Sequence, residues 1–299
     1  MTNTSRTPDP LLVTGASGYV GSYLVAELLR RERRVRALTR RPETTDLPGG
    51  VDVRAGDALS GDGLADALEG CRTAYYLIHS MGAGADFAAQ DREAAVNFGE
   101  AARAAGVERV VYLGGLGPTG REASEHLRSR HEVAELLRQR VPALVYVRAA
   151  MIIGTGSASF EMLRHLTGRL PAMICPRWID TRTQPIAVED VVRTLADVAE
   201  RPEALEEVQL GGADVLTYRQ MMKRTAPLMG RRPPAIVRVP VLSPRLSSYW
   251  VALVTPVDKG LIRPLVDGLK SEMVVEDPPP DGLNDRPLGF EDAVRAALT

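Results

Sequence analysis

Three glycines at three-residue spacing, Gly15, Gly18 and Gly21, constrain this chain most. They lie between the apolar run Leu11-Leu12-Val13-Thr14 and an amphipathic stretch, Tyr19 to Arg33. That order reads as a strand, a tight turn and a helix N-terminus. Glycine permits the sharp turn and leaves bare N–H groups at the positive end of a helix dipole, where a diphosphate is well held. Gly15, Ser17, Gly18, Tyr19, Val20 and Gly21 are therefore expected to contact a dinucleotide. A turn that binds nothing is the bland alternative, since loops are rich in glycine. The placement after a strand and before a helix argues against it.

The first 150 residues alternate short apolar runs with helical patterns. Strands are predicted over Leu11–Thr14, Val35–Thr39, Val51–Arg54, Thr73–Ile78, Arg109–Leu113 and Leu144–Arg148. Helices are predicted over Tyr19–Arg33, Gly63–Leu68, Phe87–Ala105 and Glu125–Arg140. Such alternation specifies an α/β fold, a Rossmann-type doubly wound parallel sheet with ligands at the carboxyl ends of the strands. The expected organisation is a dinucleotide-binding domain over 1–150. A mixed segment over 151–299 would complete the sheet and form a smaller C-terminal substrate lobe. In that second part helices are expected over Ser157–Leu166, Val188–Glu200, Tyr218–Leu228 and Glu291–Leu298. Strands are expected over Thr183–Ile186, Val208–Leu210 and Ile236–Val239.

The formal net charge of −1 supplies no positive field for a nucleic-acid partner, so none is expected. Cys71 and Cys175 stand alone, with no CxxC spacing and no Cys/His cluster, which predicts no metal site and a reducing, cytoplasmic setting. Residues 1–10 lack the form of a signal peptide, and the apolar run Tyr249–Val257 is too short to span a bilayer.

The second predicted strand ends Leu38-Thr39-Arg40-Arg41. An NAD site usually carries a carboxylate here for the ribose 2′-hydroxyl. Two guanidinium groups instead suit a 2′-phosphate, so Thr39, Arg40 and Arg41 favour NADP(H) over NAD(H). The alternative is that both arginines merely solvate a loop. Asp57 and Ala58, after the third strand, are placed to meet an adenine, although Asp57 serves equally well as a turn residue. His79 and Ser80, after the fourth strand, are expected to line the cofactor on its ribose and nicotinamide side.

The run Thr14-Gly15-Ala16-Ser17-Gly18-Tyr19-Val20-Gly21 resembles the TGxxGxxG fingerprint of the atypical extended branch of the short-chain dehydrogenase/reductase superfamily. Val107–Gly115 is similar to that branch's fifth strand, and Gln184-Pro185-Ile186-Ala187-Val188-Glu189-Asp190-Val191 to a later segment. NmrA-like and bacterial YbjT-like proteins show the greatest similarity, through Tyr75–Met81, Ser124–Glu132 and Pro244–Trp250. The resemblance implies an NAD(P)-binding oxidoreductase. It also implies a Tyr-x-x-x-Lys pair and a Ser or Thr at the end of the fifth strand. This chain has His126 at the Tyr position, Arg130 at the Lys position, and Gly114 and Gly115 near the Ser or Thr position. His126 is thus the candidate acid. Arg130 is the candidate ribose-holding residue, with Gly114 beside the cofactor. A solvated helix face carrying His126 and Arg130 is the competing reading.

In the same branch the junction around Met151 lines the substrate entrance. Phe160, Trp178, Tyr249 and Trp250 are candidate walls of an apolar pocket, with Arg177 or Arg182 available to an acidic group. Met162 and Leu163 read as core. The leading expectation is an NADP(H)-dependent oxidoreductase that moves hydride to or from an apolar carbonyl or conjugated alkene. A non-catalytic NAD(P)H sensor or accessory protein, as among NmrA-like regulators, is the alternative. An isomerase or dehydratase ranks last, since it needs the missing Tyr and Lys.

Overall fold

The computed structural model of the chain describes residues 9–80, 86–201, 203–239 and 265–299. The expectations for Tyr249, Trp250 and the apolar run around them lie outside the described residues.

The first strand, β1 (Leu11–Thr14), is buried along its whole length. Its side chains alternate between two layers: Leu11 and Val13 join one apolar cluster, and Leu12 joins the other. The chain continues through α1 (Tyr19–Arg30), β2 (Val35–Thr39), β3 (Asp52–Ala55), α2 (Leu64–Leu68), β4 (Thr73–Tyr76), α3 (Phe87–Ala104), β5 (Arg109–Gly115), α4 (Glu125–Arg138) and β6 (Leu144–Ala149). Then follow β7 (Ile152–Ile153), α5 (Ala158–Arg169), β8 (Ala172–Cys175), β9 (Arg182–Thr183), β10 (Ile186–Ala187), α6 (Val188–Glu200) and β11 (Glu207–Leu210). The described chain closes with β12 (Leu216–Thr217), α7 (Tyr218–Leu228), β13 (Ala235–Arg238) and α8 (Phe290–Leu298).

Seven strands form one parallel sheet in the order β11-β6-β5-β4-β1-β2-β3. The order reverses between β1 and β4, and a crevice opens at that switch point. Leu24, Val25 and Leu28 of α1 and Val191 and Leu195 of α6 cover one face. Leu64 and Leu68 of α2, Phe98 of α3, and Val133 and Leu137 of α4 cover the other. A third cluster, with Phe160 and Leu163 of α5, Met221 and Met222 of α7 and Val294 of α8, forms a separate core beyond the sheet.

Strands β1 and β2 and helices α6 and α7 have the expected bounds, and most other expected elements differ by a few residues at their ends. One difference is physical. The single strand expected over Thr183–Ile186 is split, because Pro185 has no N–H to give a ladder. β9 pairs antiparallel with β12, whereas β10 pairs parallel with β7. The side chain of Gln184, at the break, donates to Gly212 O at 2.8 Å and accepts from Val275 N at 3.0 Å. β8, which pairs parallel with β13, has no counterpart among the expected strands.

Because α1 and α6 share one apolar layer, shortening a fully buried side chain there leaves a cavity that the rigid sheet cannot close. Leu24→Ala is expected to lower unfolding free energy by about 3 kcal/mol, within the range for buried leucine truncation, in urea titration.

Candidate active site

The turn after β1 is built around Gly15, whose φ of 65° is left-handed. A Cβ on Gly21 would lie 2.1 Å from Gly15 O, and one on Gly15 would lie 2.9 Å from Leu77 O. These close approaches seat the start of α1 against the ends of β1 and β4. Gly18 occupies the N-cap of α1, no side chain caps the helix, and its first turn holds no acidic residue. Its first amides therefore point toward the crevice with their hydrogen-bonding capacity unused by the helix. This bare cradle fits a diphosphate, which supplies the negative charge that the helix end lacks.

Two cavities meet at this turn, sharing Gly15, Gly18, Leu77 and His79. The larger, about 880 Å³, includes Ser17, Thr39, Arg40, Arg41, Asp57, Ala58 and Ser80 in its walls. Arg40 and Arg41 are exposed, and neither guanidinium is paired with a carboxylate among the described residues. Thr39 Oγ1 lies 2.9 Å from Thr45 Oγ1, and Thr45 Oγ1 donates to Arg41 O at 2.6 Å, which fixes the backbone that carries both arginines. Asp57 Oδ1 accepts from Leu59 N at 2.9 Å, so one carboxylate oxygen closes its own turn. Asn97 braces that turn by donating to Ala58 O and Leu59 O. Asp46, which no motif marks in the sequence, is an exposed carboxylate on the same wall.

The smaller cavity, about 520 Å³, has Tyr19, Val20, Gly21, Gly114, His126, Arg130, Met151, Met162 and Tyr218 in its wall. Met162 is therefore both core and cavity lining. Phe160 and Trp178 line neither cavity. Phe160 is fully buried in the core of the third cluster, since it sits on the inner face of α5. Trp178 packs edge-on against Tyr218 at 6.1 Å, behind the wall. Arg182 is exposed and bound to Glu272 at 3.0 Å rather than turned into the cavity. Arg177 is exposed and absent from both linings.

His126 enters at the start of α4, where Ser124 caps the helix by accepting from Leu127 N at 3.3 Å. One helical turn on, Arg130 Nη1 donates to Leu113 O at 2.8 Å, which ties α4 to the end of β5. His126 Nδ1 lies 3.1 Å from His79 Nε2, and His79 Nδ1 lies 2.9 Å from Asp91 Oδ2. Asp91 sits on α3 and is 3% exposed. Its Oδ1 accepts from Ser80 N at 2.8 Å, and its Oδ2 from Ser129 Oγ at 3.3 Å. Asp91 carried no motif in the sequence; only the question of what would partner a part-buried His79 points to it. Burial pushes its carboxyl up, but hydrogen bonds from His79 and the Ser80 N–H outweigh that and hold it below the usual range. Burial, with Arg130 beside it, pushes His79 down to about 4, even against Asp91. Burial, Arg130 and His79 together push His126 down to about 2. Both rings are thus neutral at neutral pH.

Gly114 is bare for a packing reason. A Cβ there would lie 2.5 Å from Tyr146 Cε2 and 2.7 Å from its Oη. The Tyr146 ring stacks on Tyr112 at 5.2 Å, and its hydroxyl lies 3.1 Å from His131 Nδ1. These three residues form a network in the sheet layer and line neither cavity. Cys71 and Cys175 are buried and free. No group of three metal-ligating side chains and no helix long and apolar enough to cross a membrane occurs among the described residues.

Residues 15–153 match the family described as NAD(P)H-binding. Over 236 residues the chain is 28% identical to a ceramide reductase of Caulobacter vibrioides, covering 76% of this chain and 73% of that protein. Its backbone superposes on a nucleoside-diphosphate-sugar epimerase from Staphylococcus aureus with a TM-score of 0.72 at 17% identity, covering 96% of this chain and 99% of that one. The chain thus carries an NAD(P)H-binding domain over 15–153, and its backbone shares the fold of that epimerase. It also matches a 3β-hydroxysteroid dehydrogenase/Δ5→4-isomerase of Mycobacterium tuberculosis, 36% identical over 112 residues, which is 34% of this chain and 30% of that enzyme.

Two neutral part-buried histidines make stability sensitive to mild acid. The unfolded chain takes up protons below about pH 6.5, whereas folded His79 and His126 resist them until about 4 and about 2. Stability is therefore complete above pH 6.5 and falls as the pH drops below it. Each ring should contribute a loss on the order of 2 kcal/mol between pH 7 and pH 5. Chemical denaturation across that interval should show this slope in the native chain and a flatter one in a His79→Gln/His126→Gln variant.

Proposed function

We propose that the chain is an NADP(H)-dependent oxidoreductase that transfers hydride to or from an apolar carbonyl or conjugated alkene. The observation that carries this reading is the pair of cavities meeting at a glycine turn. One ends at Arg40 and Arg41, the other at His126. The glycine cradle would hold the diphosphate, and Arg40 and Arg41 a 2′-phosphate, through charge-assisted hydrogen bonds. Asp57, with one oxygen committed to its turn, keeps the other for an adenine amino group beside Ala58. When bound, the nicotinamide supplies or accepts the hydride. Arg130 would hold ribose oxygens with the guanidinium nitrogens not committed to Leu113, and His126 would handle the proton. Met151, Met162, Leu265, Leu269 and Met273 give the smaller cavity an apolar wall suited to an apolar substrate. Relatives named for ceramide and a hydroxysteroid agree with that class. Tyr249 and Trp250 remain candidates for the same wall.

A sensor without turnover is the second reading. It is favoured by two observations: a histidine replaces the expected tyrosine, and Tyr146 fills the place of a hydroxyl side chain at position 114. His126→Ala separates the two. Loss of turnover with dinucleotide affinity retained supports catalysis. An unchanged rate removes His126 from the chemistry, and no consumption of NADPH with any carbonyl, quinone or enone leaves the sensor.

Calorimetry should give tighter binding for NADPH than for NADH. Losing a charged hydrogen bond costs about 1.5–3 kcal/mol. Arg40→Ala/Arg41→Ala should therefore weaken NADPH by roughly tenfold or more and leave NADH nearly unchanged. Tighter binding of NADH by the native chain would overturn the coenzyme assignment.

A further inference from the structure

The hydrogen bonds behind His126 have a direction, and the direction follows from the one group that can only accept. Ser80 N–H and Asp91 Oδ1, at 2.8 Å, admit a single arrangement, because a backbone amide always donates. An ionised carboxylate has no proton to offer, so Asp91 Oδ2 accepts from His79 Nδ1–H at 2.9 Å. A neutral His79 with its proton on Nδ1 carries a lone pair on Nε2. At 3.1 Å that lone pair accepts from His126 Nδ1–H. His126 then carries its proton on Nδ1. Its Nε2, which has no partner among the described residues, is the ring nitrogen left to the smaller cavity, and it presents a lone pair. Ser129 Oγ, 3.3 Å from Asp91 Oδ2, donates in the same sense. Two charged groups bear on both rings: Arg130 opposes an imidazolium and Asp91 favours one, and burial with Arg130 prevails, so both rings stay neutral.

We propose that His126, His79 and Asp91 form a proton relay that draws a proton from a substrate hydroxyl in the smaller cavity and delivers it to the Asp91 carboxylate. The proposal rests on the oxidoreductase reading and gives it a resting direction, alcohol to carbonyl. The hydroxyl O–H bond breaks as Nε2–H forms on His126. Nδ1–H of His126 breaks as Nε2–H forms on His79, and Nδ1–H of His79 breaks as O–H forms on Asp91. The electron pair left on the substrate oxygen becomes the second bond of the carbonyl as the carbon gives up hydride to the oxidised nicotinamide dinucleotide. No imidazolium forms, so the weak basicity of each part-buried ring is no obstacle; the carboxylate is the final base. Reduction runs through the same bonds in reverse and starts from protonated Asp91. His126 therefore rests as an acceptor, where the donor role expected from the resemblance would need the inverted relay. Asp91 and His79 act through His126 and are positioning residues.

Nitrogen-15 NMR of histidine-labelled full chain tests this without cofactor or substrate. The chain has four histidines, so His79→Gln and His126→Gln assign the two signals needed. The native protein at neutral pH should show His79 and His126 both protonated on Nδ1 alone. Asp91→Asn should invert both. Its carboxamide oxygen must keep the Ser80 N–H, which turns the NH₂ toward His79 Nδ1 and forces the proton of each ring to Nε2. Nε2 protonation of His126 in the native chain overturns the relay, as does an identical tautomer in native and Asp91→Asn proteins. The native spectrum decides alone if the variant does not fold. A chain with the expected tautomers and no turnover on any alcohol keeps the relay's orientation but loses both its catalytic use and the oxidoreductase reading. Turnover with the opposite tautomer keeps that reading and removes the relay.

Discussion

The carbonyl oxygen of Gly15 stands 2.1 Å from where a side chain on residue 21 would begin. That contact sets how closely α1 can approach the end of β1, and everything at the crevice takes its position from it. A residue with a Cβ at position 21 would lift the helix start away from the sheet and turn its amides off axis. The same turn lies at the point where the strand order reverses, with β4 and its Leu77 carbonyl on the other side. Both cavities share this corner, so a ligand spanning them must cross the helix end. Position, charge and access thus come from one close backbone approach.

The two halves of the crevice differ in electrostatic character. The larger is open, and Arg40 and Arg41 stand in solvent at its rim, where their fields are screened. The smaller is walled by methionine, leucine and a part-buried histidine pair. There, removal from water dominates the titration of His79 and His126 and outweighs even the adjoining carboxylate. A low-dielectric setting raises the cost of a full positive charge and leaves neutral proton exchange unaffected.

The parallel sheet and its helices were legible because their signals are local and repetitive. Leu11 to Val13 is apolar on consecutive residues because the strand is covered on both faces, and α6 and α7 carry their own start signals. The glycine turn was legible because its backbone geometry admits few other residues. Other features depend on distant partners. Pro185 divides a predicted strand in two, and each half pairs with a different segment. Phe160 looked like a pocket wall in sequence, but the rotation of α5 aims it into the third cluster. Asp91 is one carboxylate among several on α3, and only the packing of α3 against the ends of β4 and α4 gives it two histidines as neighbours. Arg130 was readable as a position, not as a contact with Leu113.

The volume over Gly114 is filled by Tyr146, whose own hydroxyl is engaged by His131. A serine or threonine cannot enter at 114 while that ring remains, and exchanging the ring for a smaller residue alone would leave a void beneath Tyr112 and strand His131 without its neighbour. Placing a hydroxyl at the strand end thus needs two coordinated exchanges, since either one alone is worse packed than the native arrangement. Close packing in the sheet layer makes Tyr112, Gly114, His131 and Tyr146 interdependent, so that no one of them changes without cost to the others.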